Sequence, residues 1–133
     1  MGLFRSGLAG VAFVLTASTA FAGDAPANRQ DIQVTLSNFN FAPNMLRLQR
    51  NMTYAMHLVN SASGGHSFSA PGFFAAVTVA PEDRAKIANG KVEIPAGQTV
   101  DITVTPMMAG RYPIVCSHFL HSTFGMKGDA VIE

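Results

Sequence analysis

A period-two pattern of side chains runs through most of the chain and sets the strongest limit on its fold. Successive side chains of a β-strand point to opposite faces, so this period is typical of strands with one buried face. The pattern occurs in short runs, at residues 32–36, 46–48, 54–58, 92–94, 100–104, 112–116 and 130–132. Turn-forming residues separate them, at 42–44, 64–65, 95–97, 109–110 and 127–128. The sequence therefore predicts an all-β fold, an antiparallel β-sandwich of seven or eight short strands.

One segment departs from this pattern. Residues 81–90 begin with Pro81 and two acidic residues and end at Gly90. Such residues are typical of the start and the end of a helix, so we predict one short helix between strands. The 133 residues contain no internal repeat or linker, and we expect one domain.

The first 22 residues have the pattern of an export signal. Arg5 precedes an apolar run from Leu8 to Phe21, and Ala20-Phe21-Ala22 matches a cleavage site with small residues. The apolar run is too short to span a membrane well. We therefore expect a periplasmic protein without a transmembrane anchor after cleavage. The expected boundaries are a cleaved signal peptide over 1–22, a flexible lead-in over 23–30 and the folded domain over 31–133.

Charge and cysteine content exclude several classes of function. Lys and Arg number 9 and Asp and Glu number 8, and this near-balance argues against a nucleic-acid binder. Cys116 is the only cysteine in the chain, which excludes an internal disulfide and a zinc site made of cysteines alone. In an oxidising compartment, an unpaired thiol is liable to oxidation unless something occupies it.

Four residues suggest what occupies the thiol. Cys116, His121 and Met126 follow the spacing Cys-x4-His-x4-Met, and His66 lies upstream after two glycines. A thiolate, two imidazoles and a thioether are the donors of a mononuclear blue-copper site, because soft sulfur favours Cu(I) and imidazole accommodates Cu(II). Taken singly, Cys116 and Met126 are more often core residues and His66 a turn residue. Their joint occurrence at this spacing favours copper.

The sequence around these residues resembles the cupredoxin family, which includes plastocyanin, azurin, pseudoazurin and amicyanin. Residues 40–48 resemble the early family segment in which an aromatic-x-Pro turn leads into a strand, and residues 110–116 resemble the strand that delivers the cysteine ligand. The Cys-x4-His spacing is similar to that of azurins. Plastocyanins and pseudoazurins place the histidine three residues after the cysteine, where this chain has Phe119. The resemblance implies a Greek-key, cupredoxin-like sandwich.

The resemblance also implies the roles of individual residues. It assigns the ligands of one Cu(I)/Cu(II) ion by position: His66, Cys116 and His121 as the strong trigonal ligands and Met126 as the long axial one. Gly65 matches the azurin position whose backbone carbonyl faces the metal. Ser67 stands where several cupredoxins have an asparagine that braces the ligand loops, and we expect it to replace that asparagine only in part.

Two further histidines need other roles. If the strand continues past Cys116, the Cα atoms of Cys116 and His118 lie about 6.6 Å apart, with parallel side chains that do not readily converge on one ion. The chain has room to turn back before His121, so we favour His121 as the ligand. We expect His118 to be an exposed residue or a neighbour that tunes the site. His57 alternates within a strand, and we expect it to face solvent or a local partner.

Cupredoxins carry an apolar patch around the exposed ligand histidine, and the resemblance implies one here. We expect an apolar ring from residues near the two ligand segments, namely Pro71, Phe73, Phe74, Phe119, Leu120 and Phe124. The alternative interpretation of Phe73 and Phe74 is that they belong to the core. Low net charge fits docking that depends little on salt.

The resemblance implies an exported, monomeric electron-transfer protein that passes single electrons between exported donor and acceptor proteins and binds no nucleic acid. We do not expect an enzyme. Val115 and Ser117 flank Cys116, whereas copper enzymes of this type usually have a histidine beside the cysteine to connect a second copper centre. The alternative is a periplasmic copper-handling protein that sequesters copper or confers tolerance to it. A metal-free interaction module is a weaker third hypothesis.

Overall fold

The computed structural model describes residue 2, residues 28–121, residue 123 and residues 125–133. Within them, two five-stranded sheets form a β-sandwich. The strands, in chain order, are β1 (Arg29–Ser37), β2 (Asn40–Ala42), β3 (Met45–Leu48), β4 (Thr53–Asn60), β5 (His66–Ser69), β6 (Val77–Val79), β7 (Lys91–Ile94), β8 (Thr99–Pro106), β9 (Gly110–Val115) and β10 (Lys127–Ile132). The all-β sandwich predicted from the sequence is confirmed.

The two sheets have the strand orders β2-β1-β4-β8-β6 and β3-β10-β9-β5-β7. Most neighbours are antiparallel, but β1 pairs with β4 and β3 pairs with β10 in parallel. Parallel neighbours need a crossover connection, and between β1 and β4 the chain passes through β3 in the other sheet. The side-chain period therefore predicted the strands and their buried faces, but the two parallel pairings depend on long-range contacts.

The described residues form ten strands, more than the seven or eight expected. The additional strands are β2, β5 and β6, which have only three or four residues each. A period of two is hard to recognise over so few residues, and β5 begins with three buried residues in a row. These short strands matter for the site, because β5 begins at His66.

The core fills the space between the sheets with the apolar residues of the sequence pattern. In β8, Ile102 and Val104 are buried while their neighbours are more exposed, and β1 buries Val34 and Leu36 in the same way. The largest fully buried side chains include Phe68 and Phe73.

The predicted helix exists, but it is a 3-10 helix that spans Pro81–Lys86 and ends before Gly90. Its buried Asp83 accepts a hydrogen bond from the Thr103 amide at 2.8 Å and one from Lys86 Nζ at 2.6 Å. A second helix, α1 (Pro71–Ala76), was not predicted, because six residues are too few to show a helical period.

The predicted signal peptide over 1–22 lies outside the described residues apart from residue 2, as do residues 23–27 of the lead-in. The rest of the lead-in differs from expectation. The strand β1 begins at Arg29, which pairs with Thr53, so ordered structure starts before residue 31. Among the described residues, no helix is both long enough and apolar enough to cross a membrane.

His57 lies on the outer face of β4 and has local partners on both neighbouring strands, as expected from its place in the pattern. Its Nδ1 lies 2.6 Å from Asp101 Oδ1 on β8, and its Nε2 lies 3.1 Å from Asp31 Oδ1 on β1. Lys86 from the 3-10 helix contacts the Asp101 carbonyl oxygen. The hydrogen bonds with Asp101 and then Asp31 raise the pKa of His57, against a smaller opposing effect of burial.

This raised pKa predicts a pH-dependent contribution to stability. The two contacts stabilise the fold fully below the ordinary histidine pKa of about 6.5, and the stabilisation is lost as the pH rises through the raised pKa. The free energy of unfolding of the wild type should therefore fall between about pH 6 and about pH 9, and that of His57→Gln should fall less over the same range. The difference should be less than about 1 kcal/mol, because the pairs are partly exposed.

Urea denaturation of both proteins across this pH range measures the difference. Arg47→Gln is a matched control, because it breaks the exposed Arg47–Glu133 pair without removing a group that titrates in this range. Equal pH dependence in wild type and His57→Gln would contradict the prediction.

Candidate metal centre

The predicted ligands come from two segments that the second sheet holds together. Cys116, His121 and Met126 lie in the connection between β9 and β10, which we call the ligand loop (residues 116–126; 122 and 124 lie outside the described residues). Antiparallel pairing places Val115 opposite Lys127, so both ends of the ligand loop are fixed side by side. The strand β5 pairs with β9 at Ser69 and brings its first residue, His66, to the loop.

Three of the four predicted ligands form a compact cluster. Cys116 Sγ lies 3.3 Å from His121 Nδ1 and 3.8 Å from His66 Nδ1, and the two Nδ1 atoms are 3.1 Å apart. His66 and Cys116 are buried, whereas His121 is half-buried. The three donor atoms therefore lie close enough together to bind one metal ion.

Met126, the fourth predicted ligand, is fully buried at the other end of the ligand loop. Its amide donates a hydrogen bond to the His121 carbonyl at 3.0 Å, and its carbonyl accepts one from the Cys116 amide at 3.2 Å. The main chain thus holds Met126 beside both ligands of the loop. Its assignment as an axial ligand stays a prediction.

The chemistry of the donor atoms in the cluster fits a copper ion. Burial, followed by repulsion from His121 and His118, lowers the pKa of His66, which favours a neutral imidazole able to donate a lone pair. The His66 Nε2 atom is buried and has no hydrogen-bond partner among the described residues, and Nδ1 faces the other donors. Imidazole nitrogens and a soft sulfur suit both oxidation states of copper.

Ser67 connects the two ligand segments. Its amide donates a hydrogen bond to Cys116 Sγ at 3.4 Å, and its Oγ accepts one from the Ser117 amide at 2.8 Å. The two serine hydroxyls are also within hydrogen-bonding distance, at 2.9 Å. Ser67 is fully buried, and its bond to Cys116 is buried while its bonds to Ser117 are partly buried. A serine at this position thus braces both segments through one hydroxyl and one amide.

Asn60 fixes the turn that precedes His66. Its Nδ2 donates hydrogen bonds to the carbonyls of Gly64 and Ile94, both at 2.9 Å, and its Oδ1 accepts one from the Ala62 amide. The bond to Ile94 is buried, where the low dielectric strengthens a hydrogen bond, and the other two bonds are partly buried. No sequence signal indicates this role of Asn60, because Ile94 lies on β7, far along the chain.

The two histidines of the ligand loop have different partners. His121 lies in the cluster, whereas His118 Nε2 lies 2.9 Å from Glu93 Oε2 on β7. The His118 ring stacks on the His121 ring with centroids 5.4 Å apart. This arrangement agrees with the preference for His121 as the ligand and places His118 among the neighbours of the site.

The predicted apolar ring is only partly present. Phe119 is 88% exposed and Leu120 is 44% exposed. Phe73 is fully buried and Phe74 packs against the core, so the expectation that they join the ring is wrong and their alternative role in the core is correct. Pro71 is exposed, and Phe124 lies outside the described residues.

Phe39 is a further aromatic neighbour of the site. It lies in the turn between β1 and β2, and its ring meets His121 edge-on with centroids 5.2 Å apart. Phe39 and Leu120 both have positive φ angles, of 59° and 63°. This conformation is strained for bulky residues, and strain of this kind often accompanies functional sites. No sequence motif at Phe39 indicates this contact.

The comparisons with known proteins agree with this fold. The cupredoxin-like domain family matches residues 7–132, and the chain belongs to this family. No curated protein sequence matches the chain at a significant level.

Similar solved structures show the same fold. Auracyanin B has a TM-score of 0.59 at 21% identity, over 84% of this chain and 93% of that one. A dithionite-reduced auracyanin from Roseiflexus castenholzii has a TM-score of 0.57 at 16% identity, over 80% and 98%. A multicopper oxidase from Campylobacter jejuni, described as a metallo-oxidase, has a TM-score of 0.57 at 9% identity, over 83% of this chain but only 31% of the oxidase.

The bonds of Ser67 predict a cost for removing its hydroxyl. Ser67→Ala should lower the free energy of unfolding by about 1–2 kcal/mol, because the Ser67 hydroxyl contacts the Ser117 amide, the Ser117 hydroxyl and Cys116 Sγ, and only the last contact is fully buried. Ser117→Ala is the matched control. It removes only the contact between the hydroxyls from a more exposed residue, so it should cost less than about 1 kcal/mol. Chemical denaturation of the metal-free proteins measures both, and equal costs would contradict this role of Ser67.

Proposed function

We propose that this protein is an exported blue-copper protein that carries single electrons between redox partners. In this proposal His66, Cys116 and His121 hold one copper ion, with Met126 as a weak axial ligand. The observation that carries the proposal is the cluster of one Sγ and two Nδ1 atoms within 4.8 Å of one another. Membership of the cupredoxin-like family supports the same conclusion.

The residues of the chain prepare the site before any metal binds. A bound copper ion would supply one-electron chemistry by alternation between Cu(I) and Cu(II). The buried His66 and Cys116 exclude water from one side of the site, and the Ser67 amide donates a hydrogen bond to Cys116 Sγ. Backbone bonds at both ends of the ligand loop limit its movement. A site with little freedom to rearrange suits rapid electron transfer.

His121 supplies the proposed path for electrons, because it is half-buried while the other two clustered side chains are buried. The exposed Phe119 and Leu120 lie in the same loop and are proposed to contact an exported donor or acceptor. The chain has a formal net charge of only +1, which supports docking with little salt dependence. We propose a monomer in the periplasm, and the export pattern of residues 1–22 supports this location.

We propose an electron carrier rather than an enzyme. Val115 and Ser117 beside Cys116 offer no imidazole to connect a second copper centre. Two similar structures are auracyanins that match over nearly their whole length, whereas the multicopper oxidase matches over 31% of its length. Electron self-exchange of the copper-loaded protein tests the proposal directly. Fast exchange is expected, whereas tight copper binding with slow exchange would favour the copper-handling alternative.

The proposed role of Cys116 predicts that its removal abolishes the visible absorption of the copper-loaded protein. Addition of Cu(II) to the wild type should give a strong thiolate-to-copper absorption band. Cys116→Ser and His121→Ala should lose or grossly alter this band while the sandwich remains folded by circular dichroism. His118→Ala should keep the band with at most a small shift, because His118 is a neighbour of the site and not a proposed ligand. Absence of the band in the wild type would overturn the copper proposal, and its loss in His118→Ala alone would move the ligand assignment.

The axial role of Met126 predicts a change in reduction potential. Met126→Leu should keep copper bound and raise the potential, because a weak sulfur donor stabilises Cu(II) relative to Cu(I). Met56→Leu is the matched control, since Met56 is equally buried but lies in the core on β4. Both substitutions conserve volume and should destabilise the fold by less than about 1.5 kcal/mol. Voltammetry of the three proteins measures the potentials, and an unchanged or lowered potential in Met126→Leu would exclude Met126 as the axial ligand.

A further inference from the structure

His118 lies outside the cluster but touches both ligand segments. Its ring stacks on His121 with an angle of 20° between the ring planes. It also lies against the backbone before His66, since a Cβ added to Gly65 would lie 3.5 Å from His118 Cε1. The His66 ring is 6.3 Å away, centroid to centroid. His118 therefore fills the space between the β4–β5 turn and the ligand loop.

Glu93 fixes the far side of the His118 ring. Its Oε2 lies 2.9 Å from His118 Nε2, and its Oε1 lies 2.9 Å from Lys91 Nζ. Glu93 lies on β7 directly opposite Ser67 on β5, so its backbone is paired with the strand that carries His66. Burial raises the pKa of Glu93, but the hydrogen bonds with His118 and Lys91 outweigh this effect and lower it. Both carboxylate oxygens thus have a partner, although the Glu93 side chain is 52% exposed.

The orientation of the His121 ring needs support of this kind. The terminal torsion of a histidine side chain is broad, so its backbone alone does not fix the ring plane. Stacked neighbours restrict the rotation, and the direction of the Nδ1 lone pair follows the ring plane. Residues around metal ligands commonly change metal affinity 10–100-fold when they are removed.

We propose that Glu93 and His118 act as a pair of positioning residues for His121. Glu93 holds the His118 ring, and the His118 ring holds the His121 ring in the plane that directs Nδ1 at Cys116 and His66. This inference rests on the proposed copper site. It adds that a carboxylate on the edge strand β7 affects the site by way of His118.

The competing explanation is that Glu93 acts through space, as a negative charge near the site. The two explanations differ in what happens when His118 is absent. A direct electrostatic effect of Glu93 persists without the His118 ring, whereas a positioning effect disappears with it. A double-mutant cycle separates them, since coupling is measured as non-additivity.

The experiment compares Glu93→Ala, His118→Ala and the double variant with the wild type. Cu(II) affinity and the position of the thiolate-to-copper band are the two readouts. We expect Glu93→Ala to weaken Cu(II) binding by on the order of ten-fold and to shift the band. We expect the same substitution to have no further effect in the His118→Ala background. Glu133→Ala is the charge control, because it removes an exposed carboxylate that pairs with Arg47, and it should change neither readout.

Each other outcome overturns the inference. Wild-type values in Glu93→Ala would show that the pair does not position His121. Equal effects of Glu93→Ala in both backgrounds would assign its effect to charge. His118→Phe guards against loss of folding in His118→Ala, because it retains a ring without the bond to Glu93 and should match Glu93→Ala. A wild type without a thiolate band would overturn the proposed function itself, which distinguishes that failure from failure of the positioning role.

Discussion

The pairing of β9 with β10 is the constraint on which the site depends. It holds the two ends of the ligand loop on adjacent strands, and the β5–β9 contact brings His66 to the same place. Hydrogen bonds then join Ser67 to Ser117, and the Met126 backbone to Cys116 and His121. The cluster of Cys116, His66 and His121 therefore follows from the register of the sheet, which places the three side chains close together.

Much of the fold was predictable from local pattern. Alternation at positions such as Val34, Leu36, Ile102 and Val104 corresponds to burial, because a strand in a sandwich has one face toward the core. Strand direction was not predictable in this way. The parallel ladders of β1 with β4 and β3 with β10 join segments that are distant in sequence, and alternation is the same for either direction.

The sequence indicated those site residues that combine a metal-binding side chain with a recognisable spacing, and it did not indicate the others. The donor types of Cys116 and His121 and their spacing led to the cluster. Phe39 and Glu93 reach the site only through the β1–β2 turn and the pairing of β7 with β5, so no local signal at either residue indicates a role. Phe73 and Phe74 show the opposite error. Closeness to His66 in sequence suggested a surface role, but α1 turns Phe73 into the core.

The position of β10 has a consequence for the order of assembly. This strand follows every other strand in sequence, yet it lies inside its sheet, between β3 and β9. A chain synthesised from the N-terminus cannot complete that sheet until β10 has emerged, and such distant pairings slow folding through the entropy of loop closure. The ligand loop acquires its second anchor at the same step. The donor atoms of Cys116, His66 and His121 therefore come together only late in folding, and the burial of Cys116 between the sheets is completed at the same stage.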